Sequence, residues 1–221
     1  DPTIILVLIG VALSLWAQGR VNSTFSRYSR VRSMTGMTGA EAARRLLNAQ
    51  GIYDVTVQQI AGELTDHYDP RTKTVNLSQS VYGATSVAAI GVAAHECGHA
   101  MQDNEGYAPL RFRSVLVPVA NFGSSLSWPL ILLGLVFGGL GSPLVEIGIL
   151  MFSLAVLFQL VTLPVEYNAS ARAVRLLDAQ GILAGEEVNG TRKVLNAAAL
   201  TYVAAAATSI LQLLRLIILF G

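Results

Sequence analysis

Four long apolar stretches constrain the fold of this chain more than any other feature of its sequence, and they cover residues 3–18, 114–139, 144–163 and 195–220. An α-helix needs about 20 residues to cross the hydrocarbon core of a bilayer, and the last three stretches have that length. The first is shorter but lacks the basic start and the cleavage site of a signal peptide, so we expect a retained anchor. With 52% hydrophobic and 13% charged residues, the composition also differs from that of soluble proteins. The sequence predicts a mainly α-helical integral membrane protein with four transmembrane helices.

Two polar regions, residues 19–113 and 164–194, are separated by two predicted crossings and must therefore lie on the same side of the membrane. They contain every lysine and arginine of the chain except Arg215, whereas the link between the second and third stretches, residues 139–143, is uncharged. Basic loops stay preferentially in the cytoplasm. We therefore expect both polar regions to face the cytoplasm and both termini to lie outside.

Charge and cysteine content exclude two other classes of protein. A formal net charge of +1 provides no basis for a concentrated basic face, so we expect no nucleic-acid partner. The single cysteine, Cys97, cannot form an intramolecular disulfide, which excludes a disulfide-stabilised scaffold. We interpret Cys97 as a small residue that packs on a helix, the usual role of a free cysteine.

Local signals in the first polar region predict a helix, a strand and a second helix. Thr38 and Glu41 have the spacing of a capping box, and Gly51 is placed to end the helix that they begin. The alternation over residues 72–77 predicts a short strand. The small and apolar residues that follow predict a helix over residues 86–102, which carries the sequence "HECGH".

The sequence "HECGH" places His95, Glu96 and His99 at the spacing of a zinc hydrolase site. Positions four apart lie on one face of a helix, so both imidazoles can reach one metal ion. Zinc binds histidine nitrogen in a tetrahedron, and a catalytic site leaves one position to water. Glu96 is then placed to act as the general base that takes the proton of this water.

A third protein ligand is required, and the sequence contains two candidates. One is the remaining histidine, His67. The other is Glu166, which follows the third apolar stretch in "LPVEYNASARAVRLL", where we expect Pro164 to mark a helix boundary before a second helix begins. The Glu-x-x-Ala-Ser pattern that begins at Glu166 favours this residue.

Nearly the whole chain resembles the YugP-type membrane zinc metallopeptidases, a bacterial and archaeal family distantly similar to HtpX-like enzymes. The resemblance rests on "DHYDPRTKTVNLS", "SVAAIGVAAHECGHAMQ", "LPVEYNASARA" and "LNAAALTYVAAA". It implies a small α+β gluzincin-like protease region on the cytoplasmic side, in which one Zn²⁺ is bound by His95, His99 and Glu166 and Glu96 is the general base. It also implies a multi-pass protein of a prokaryotic plasma membrane that cleaves proteins or peptides, with membrane proteins among the expected substrates.

Four further residues are candidates for supporting roles. Ser170 stands where related gluzincins have an aspartate that orients a zinc histidine, so we expect its hydroxyl to accept the imidazole N–H. His67, Tyr167 and Arg172 are alternative donors to the carbonyl oxygen of the transition state. The resemblance also implies that the strand near residues 74–77 adds an extended substrate along a free edge.

Two other functions are compatible with "HECGH" in a membrane chain. An intramembrane protease of the site-2 type uses the same motif, but the apolar run before His95 is too short to span a bilayer. A membrane scaffold with a structural zinc would not need the general base Glu96. The sequence does not predict the natural substrate, the regulation or the oligomeric state.

Overall fold

The structure is a computed structural model that describes residues 1–220. Its elements in chain order are α1 Ile4–Ser29, α2 Gly39–Ala49, β1 Thr56–Ile60, β2 His67–Asp69, β3 Thr74–Ser78, α3 Gln79–Tyr82, α4 Val87–Glu105, α5 Ala108–Gly138, α6 Pro143–Ala179 and α7 Glu186–Phe220. The chain forms two compact units. The apolar unit comprises Asp1–Gln18, Ala108–Pro164 and Leu200–Gly221, and the site unit comprises Gly19–Tyr107 and Val165–Ala199.

The apolar unit contains the predicted transmembrane segments. Within the described residues, four helices (α1, α5, α6 and α7) are long and apolar enough to cross a membrane, which confirms the predicted number. In the most apolar 18-residue window of each helix, only 11–28% of the residues are buried inside the protein. Most of these side chains therefore lie on the outside, as lipid-facing residues do. Small residues bring the helices together: Gly10 packs against Thr208, and Gly123 packs against the Met151 carbonyl.

The long helices extend beyond the apolar stretches, and one expected boundary is wrong. Helix α6 runs without interruption through Pro164, where we expected a helix to end and another to begin. A proline in a helix removes one N–H donor, but its φ near −65° is a value that the helix already uses. The hydrogen bonds on both sides of Pro164 in this 37-residue helix therefore carry the helix across it.

The site unit contains a sheet of three strands in the order β1–β3–β2. Strand β3 pairs in parallel with β1 and antiparallel with β2, with Val75 opposite Val57 on one side and Tyr68 on the other. The predicted strand is thus confirmed, but its expected free edge is wrong. Because β3 is paired on both sides, an added strand can only pair with β1 or β2.

The helix ends of the site unit agree with the sequence signals. Thr38 accepts a hydrogen bond from the Glu41 backbone N–H, and the Glu41 side chain accepts one from the Thr38 backbone, which confirms the capping box. Gly51 follows α2 with φ of +70°, a left-handed conformation that glycine adopts without strain. Helix α4 begins at the cap Ser86, whose hydroxyl accepts from Ala89, and ends at Gly106 in the left-handed conformation.

A close contact between α4 and α6 lies at the centre of the site unit. A Cβ atom at Gly98 would lie 2.5 Å from the Ala169 carbonyl oxygen, so a larger residue would push the two helices apart. Fully buried residues surround this contact, among them Cys97 on α4 and Ala173 on α6. Buried apolar side chains from α2 and β3, including Leu46 and Val75, complete the core of this unit.

We expect Gly98→Ala to destabilise the protein by about 1–3 kcal/mol, because the added methyl group overpacks a helix contact that cannot expand freely. The measurement is the free energy of unfolding in detergent. Gly19→Ala is the matched control: Gly19 lies in α1 with nothing within 4 Å of its Cβ position, so alanine there should be neutral or stabilising. Equal effects of the two substitutions would contradict a tight α4–α6 contact.

Candidate metal centre

Helices α4 and α6 bring three predicted zinc ligands together. The Nε2 atom of His95 lies 3.0 Å from Oε2 of Glu166, and the Nε2 atom of His99 lies 3.4 Å from the same oxygen. One ligand atom from each residue falls within 4.8 Å of the other two. The three-residue group is therefore confirmed as a cluster that could hold a metal ion, and the alternative third ligand, His67, is not part of it.

Two of the distances in this cluster, and its donor atoms, fit a zinc site. Nitrogen or oxygen ligands about 2.0–2.1 Å from a tetrahedral zinc ion lie about 3.3 Å from one another. The separations of 3.0 and 3.4 Å around Glu166 Oε2 are close to that value. His99 and Glu166 are buried and His95 is partly buried, so protein side chains rather than bulk water surround the ligand atoms. Two imidazoles and one carboxylate are also the donor set of a catalytic zinc site with one open position.

Hydrogen bonds on the far side of each imidazole fix which nitrogen faces the centre. Nδ1 of His95 lies 3.0 Å from Oγ of Ser170, and Nδ1 of His99 lies 3.0 Å from Oε1 of Gln102. The Gln102 oxygen can only accept, so the Nδ1–H group of His99 donates to it and the Nε2 lone pair faces the cluster. The Ser170 hydroxyl can accept from Nδ1–H of His95 in the same way. Such partners set the tautomer and orientation of metal-binding histidines. The contact predicted for Ser170 is therefore present.

Glu96 is buried next to this cluster and does not belong to the ligand group. Burial raises the pKa of its carboxyl group to about 7 because the charged form loses its hydration. His95 opposes this shift, whereas the negative charge of Glu166 adds to it. A carboxyl group with this proton affinity is suited to exchange protons near neutral pH. This environment supports the role predicted for Glu96 without testing it.

Cys97 is confirmed as a packing residue. It is buried in the core cluster of the site unit, and its thiol lies 3.6 Å from the Ala43 carbonyl oxygen. Burial raises the pKa of the thiol well above its usual range, so the thiolate that would bind a metal is disfavoured. The motif therefore contributes its two histidines, and not its cysteine, to the cluster.

Two of the three candidate hydrogen-bond donors to the carbonyl oxygen of the transition state, His67 and Arg172, form hydrogen bonds with other groups of the protein. Nδ1 of His67 lies 2.9 Å from the Thr65 carbonyl oxygen, and Nε2 of His67 lies 3.3 Å from Nδ2 of Asn76. Arg172 donates to Glu105 at 2.7 Å and to Asn168 at 2.7 Å. Both side chains are therefore hydrogen-bonded within the protein, and their roles towards a substrate stay predictions.

The third candidate, Tyr167, lines an open cleft along α6 and α7. The cleft has a volume of about 390 Å³ and also includes Ser170, the partner of His95. Tyr167 is half-exposed, and within residues 1–220 its hydroxyl group has no hydrogen-bond partner. The hydroxyl group of Tyr167 is therefore available to a substrate, and its role stays a prediction.

Two polar residues of the site, Gln102 and Asn168, were not predicted from the sequence. Gln102 is fully buried and its amide contacts His99, the Val165 carbonyl and Asn168. A signal for Gln102 was present, since a residue three positions after His99 lies on the same helical face. The sequence also placed Asn168 four positions before Arg172 on one helical face, but its contact with Gln102 on another helix had no local signal.

Comparison with known proteins agrees with this site. Residues 3–221 match the family described as "Putative neutral zinc metallopeptidase". The chain is 49% identical over 217 residues to the "Putative membrane protease YugP" of Bacillus subtilis (strain 168), and the match covers 98% of this chain and 96% of that protein. No solved structure matches the chain.

We expect Ser170→Ala to weaken zinc binding about 10-fold, because partners of this kind contribute about 10–100-fold to metal affinity and a neutral hydroxyl belongs at the low end. The dissociation constant is measured by competition with a chromophoric chelator. Ser153→Ala is the matched control on the same helix, since the Ser153 hydroxyl donates only to the Ile149 carbonyl. Equal zinc affinity of the Ser170→Ala variant and the native chain would remove this role of the hydroxyl.

Proposed function

The chain belongs to the neutral zinc metallopeptidase family that it matches over residues 3–221, and on this premise we propose that it is a membrane-embedded zinc-dependent endopeptidase. The observation that carries the proposal is the convergence of His95, His99 and Glu166 beside the buried carboxyl group of Glu96. We assign one Zn²⁺ to each chain, because the described residues contain one such group of ligands.

Zinc bound by His95, His99 and Glu166 would supply a Lewis acid that polarises the peptide carbonyl and acidifies a water molecule. The chain performs the proton transfers. Glu96 accepts the proton of the attacking water and then delivers it to the leaving amine nitrogen. The burial of Glu96 beside the ligands supports this role, because it keeps the carboxyl group next to the place where the water would be held. Ser170 keeps the His95 ring in the orientation in which Nε2 can act as a ligand.

The proposed substrates are proteins or peptides that reach the membrane surface, including membrane proteins. The support is the position of Glu166 along α6. Pro164, the last residue of this segment of the apolar unit, precedes Glu166 by two positions. Glu166 thus follows the third apolar stretch, residues 144–163, almost directly in the sequence. The position of the third ligand in the sequence, directly after a proposed membrane span, supports substrates at or near the bilayer.

We place the site on the cytoplasmic side of a prokaryotic plasma membrane, with both termini outside. The support is the distribution of basic residues, all of which except Arg215 lie in residues 19–113 and 164–194. The uncharged link of residues 139–143 is then on the outer side together with the termini.

The structure gives less support to the two alternatives. Helix α4, which carries the histidines, is not among the candidate membrane spans of the described residues, unlike the motif helix of an intramembrane protease. A scaffold with structural zinc has no use for a carboxyl group buried beside the ligands, because burying Glu96 is costly and contributes no metal bond.

Glu96→Gln should keep the zinc content of the native protein and lower the rate of peptide-bond cleavage about 10²–10⁴-fold, because glutamine cannot transfer the proton. Detergent-purified protein is tested for zinc stoichiometry and for cleavage of casein, a generic unfolded substrate. Glu63→Gln is the matched control, since Glu63 is exposed and lies outside the ligand group. It should cleave at the native rate.

Bound zinc together with equal cleavage by the native chain and by Glu96→Gln would contradict the mechanism. A native chain that binds no zinc would contradict the proposed metal site.

The orientation is tested by labelling introduced cysteines with a membrane-impermeant maleimide in intact cells. Leu140→Cys, on the exposed link between α5 and α6, should be labelled from outside. Asn48→Cys, on the exposed face of α2, should be labelled only after permeabilisation. The buried Cys97 provides little background. The reverse pattern of labelling would place the site on the outer side.

A further inference from the structure

Gln102 lies one helical turn beyond His99 and has a polar side chain in the core of the site unit. Its exposed fraction is 0%, and its Oε1 atom lies 3.0 Å from Nδ1 of His99. Burying an amide costs free energy unless each polar group is hydrogen-bonded, whereas an apolar residue would occupy this position at no such cost. The presence of a fully paired glutamine here therefore indicates a specific role.

The contacts of the Gln102 amide allow only one orientation. Its Nε2 atom lies 2.9 Å from the Val165 carbonyl oxygen, which can only accept a hydrogen bond. The amide nitrogen must therefore face Val165, and the amide oxygen must face His99. Because the amide oxygen of Gln102 can only accept a hydrogen bond, the proton of the neutral His99 ring must be on Nδ1. The Nε2 atom of His99 is thereby left as an acceptor directed towards Glu166.

A chain of hydrogen bonds through Asn168, Arg172 and Glu105 fixes the position of this amide. Asn168 Oδ1 accepts from Gln102 Nε2 at 2.9 Å and from Arg172 Nε at 2.7 Å. Arg172 in turn donates to the carboxylate of Glu105 at 2.7 Å, and its guanidinium lies 5.6 Å from the centre of the Tyr107 ring. The hydrogen bonds thus form a continuous path from a half-exposed carboxylate to the imidazole of His99.

We propose that Gln102 is a positioning residue that holds His99 in the tautomer and orientation needed to bind zinc, and that Asn168, anchored by Arg172, fixes the Gln102 amide. The inference rests on the proposed zinc site. It assigns Arg172 to the support of a metal ligand rather than to contact with the substrate. It also makes the contact between α4 and α6 part of the metal site, because Gln102 and Asn168 come from different helices.

The test measures zinc binding without substrate, on detergent-purified full-length chain, with Zn²⁺ in competition with a chromophoric chelator. Gln102→Leu should raise the zinc dissociation constant about 10–100-fold, because the Nδ1–H group of His99 loses its acceptor. The visible spectrum of the Co²⁺-loaded variant should also differ from that of the native chain. Gln59→Leu is the matched control: Gln59 is exposed on β1 and should leave both readouts unchanged.

A pair of substitutions at Asn168 keeps the test decisive if Gln102→Leu does not fold. Asn168 is only partly buried. Asn168→Asp retains an oxygen that accepts from both Gln102 and Arg172, so its zinc affinity should stay within about threefold of the native value. Asn168→Leu removes this acceptor and should weaken zinc binding several-fold more than Asn168→Asp.

The proposal is overturned if Gln102→Leu binds zinc as tightly as the native chain, or if the two Asn168 variants have equal affinity. Either result leaves the proposed zinc site intact. A native chain that binds no zinc contradicts the proposed function as well. Zinc binding by the native chain therefore distinguishes failure of the role proposed for Gln102 from failure of the proposed function.

Discussion

The contact between α4 and α6 at Gly98 is the constraint on which the rest of the site depends. No residue with a Cβ fits against the Ala169 carbonyl without displacing one helix. At this separation, the histidines of α4 lie within hydrogen-bond distance of Glu166 on α6. The same closeness allows Ser170 to reach His95. A glycine within the "HECGH" motif therefore determines whether the third ligand can meet the other two.

The partners of the two histidines are neutral, and this shapes the chemistry expected of the metal centre. Ser170 contacts Nδ1 of His95 through a hydroxyl, and Gln102 accepts from Nδ1–H of His99 through an amide oxygen. A carboxylate in either place would raise the basicity of the imidazole further. In this chain the site already contains two buried carboxyl groups, those of Glu166 and Glu96. The neutral partners thus orient the rings without adding a third buried charge, which would be costly.

Local patterns in the sequence predicted the parts of the protein that depend on neighbouring residues. The spacing of His95 and His99 places them on one helical face, and Thr38 with Glu41 forms a capping box because the partners are three residues apart. The expected boundary at Pro164 was wrong, because the preference of one residue is weak against a long helix. The pairing of β3 on both sides arises from strands β1 and β2, whose arrangement no local pattern specifies.

Long-range contacts explain why part of the site was missed. The roles of Gln102 and Asn168 depend on two helices that meet only after folding. His67 and Arg172 look like free donors in the sequence, yet their partners Asn76 and Glu105 engage them in the structure. Such assignments require the positions of residues from distant parts of the chain, which spacing alone does not provide.

The central claim is that one zinc ion is bound by His95, His99 and Glu166. X-ray absorption spectroscopy of the zinc-loaded chain tests it most directly, because the first coordination shell reports the ligand elements and distances. We expect nitrogen and oxygen ligands at about 2.0–2.2 Å with the outer-shell scattering of two imidazoles. A sulfur ligand at about 2.3 Å, or a shell without imidazole scattering, would contradict it.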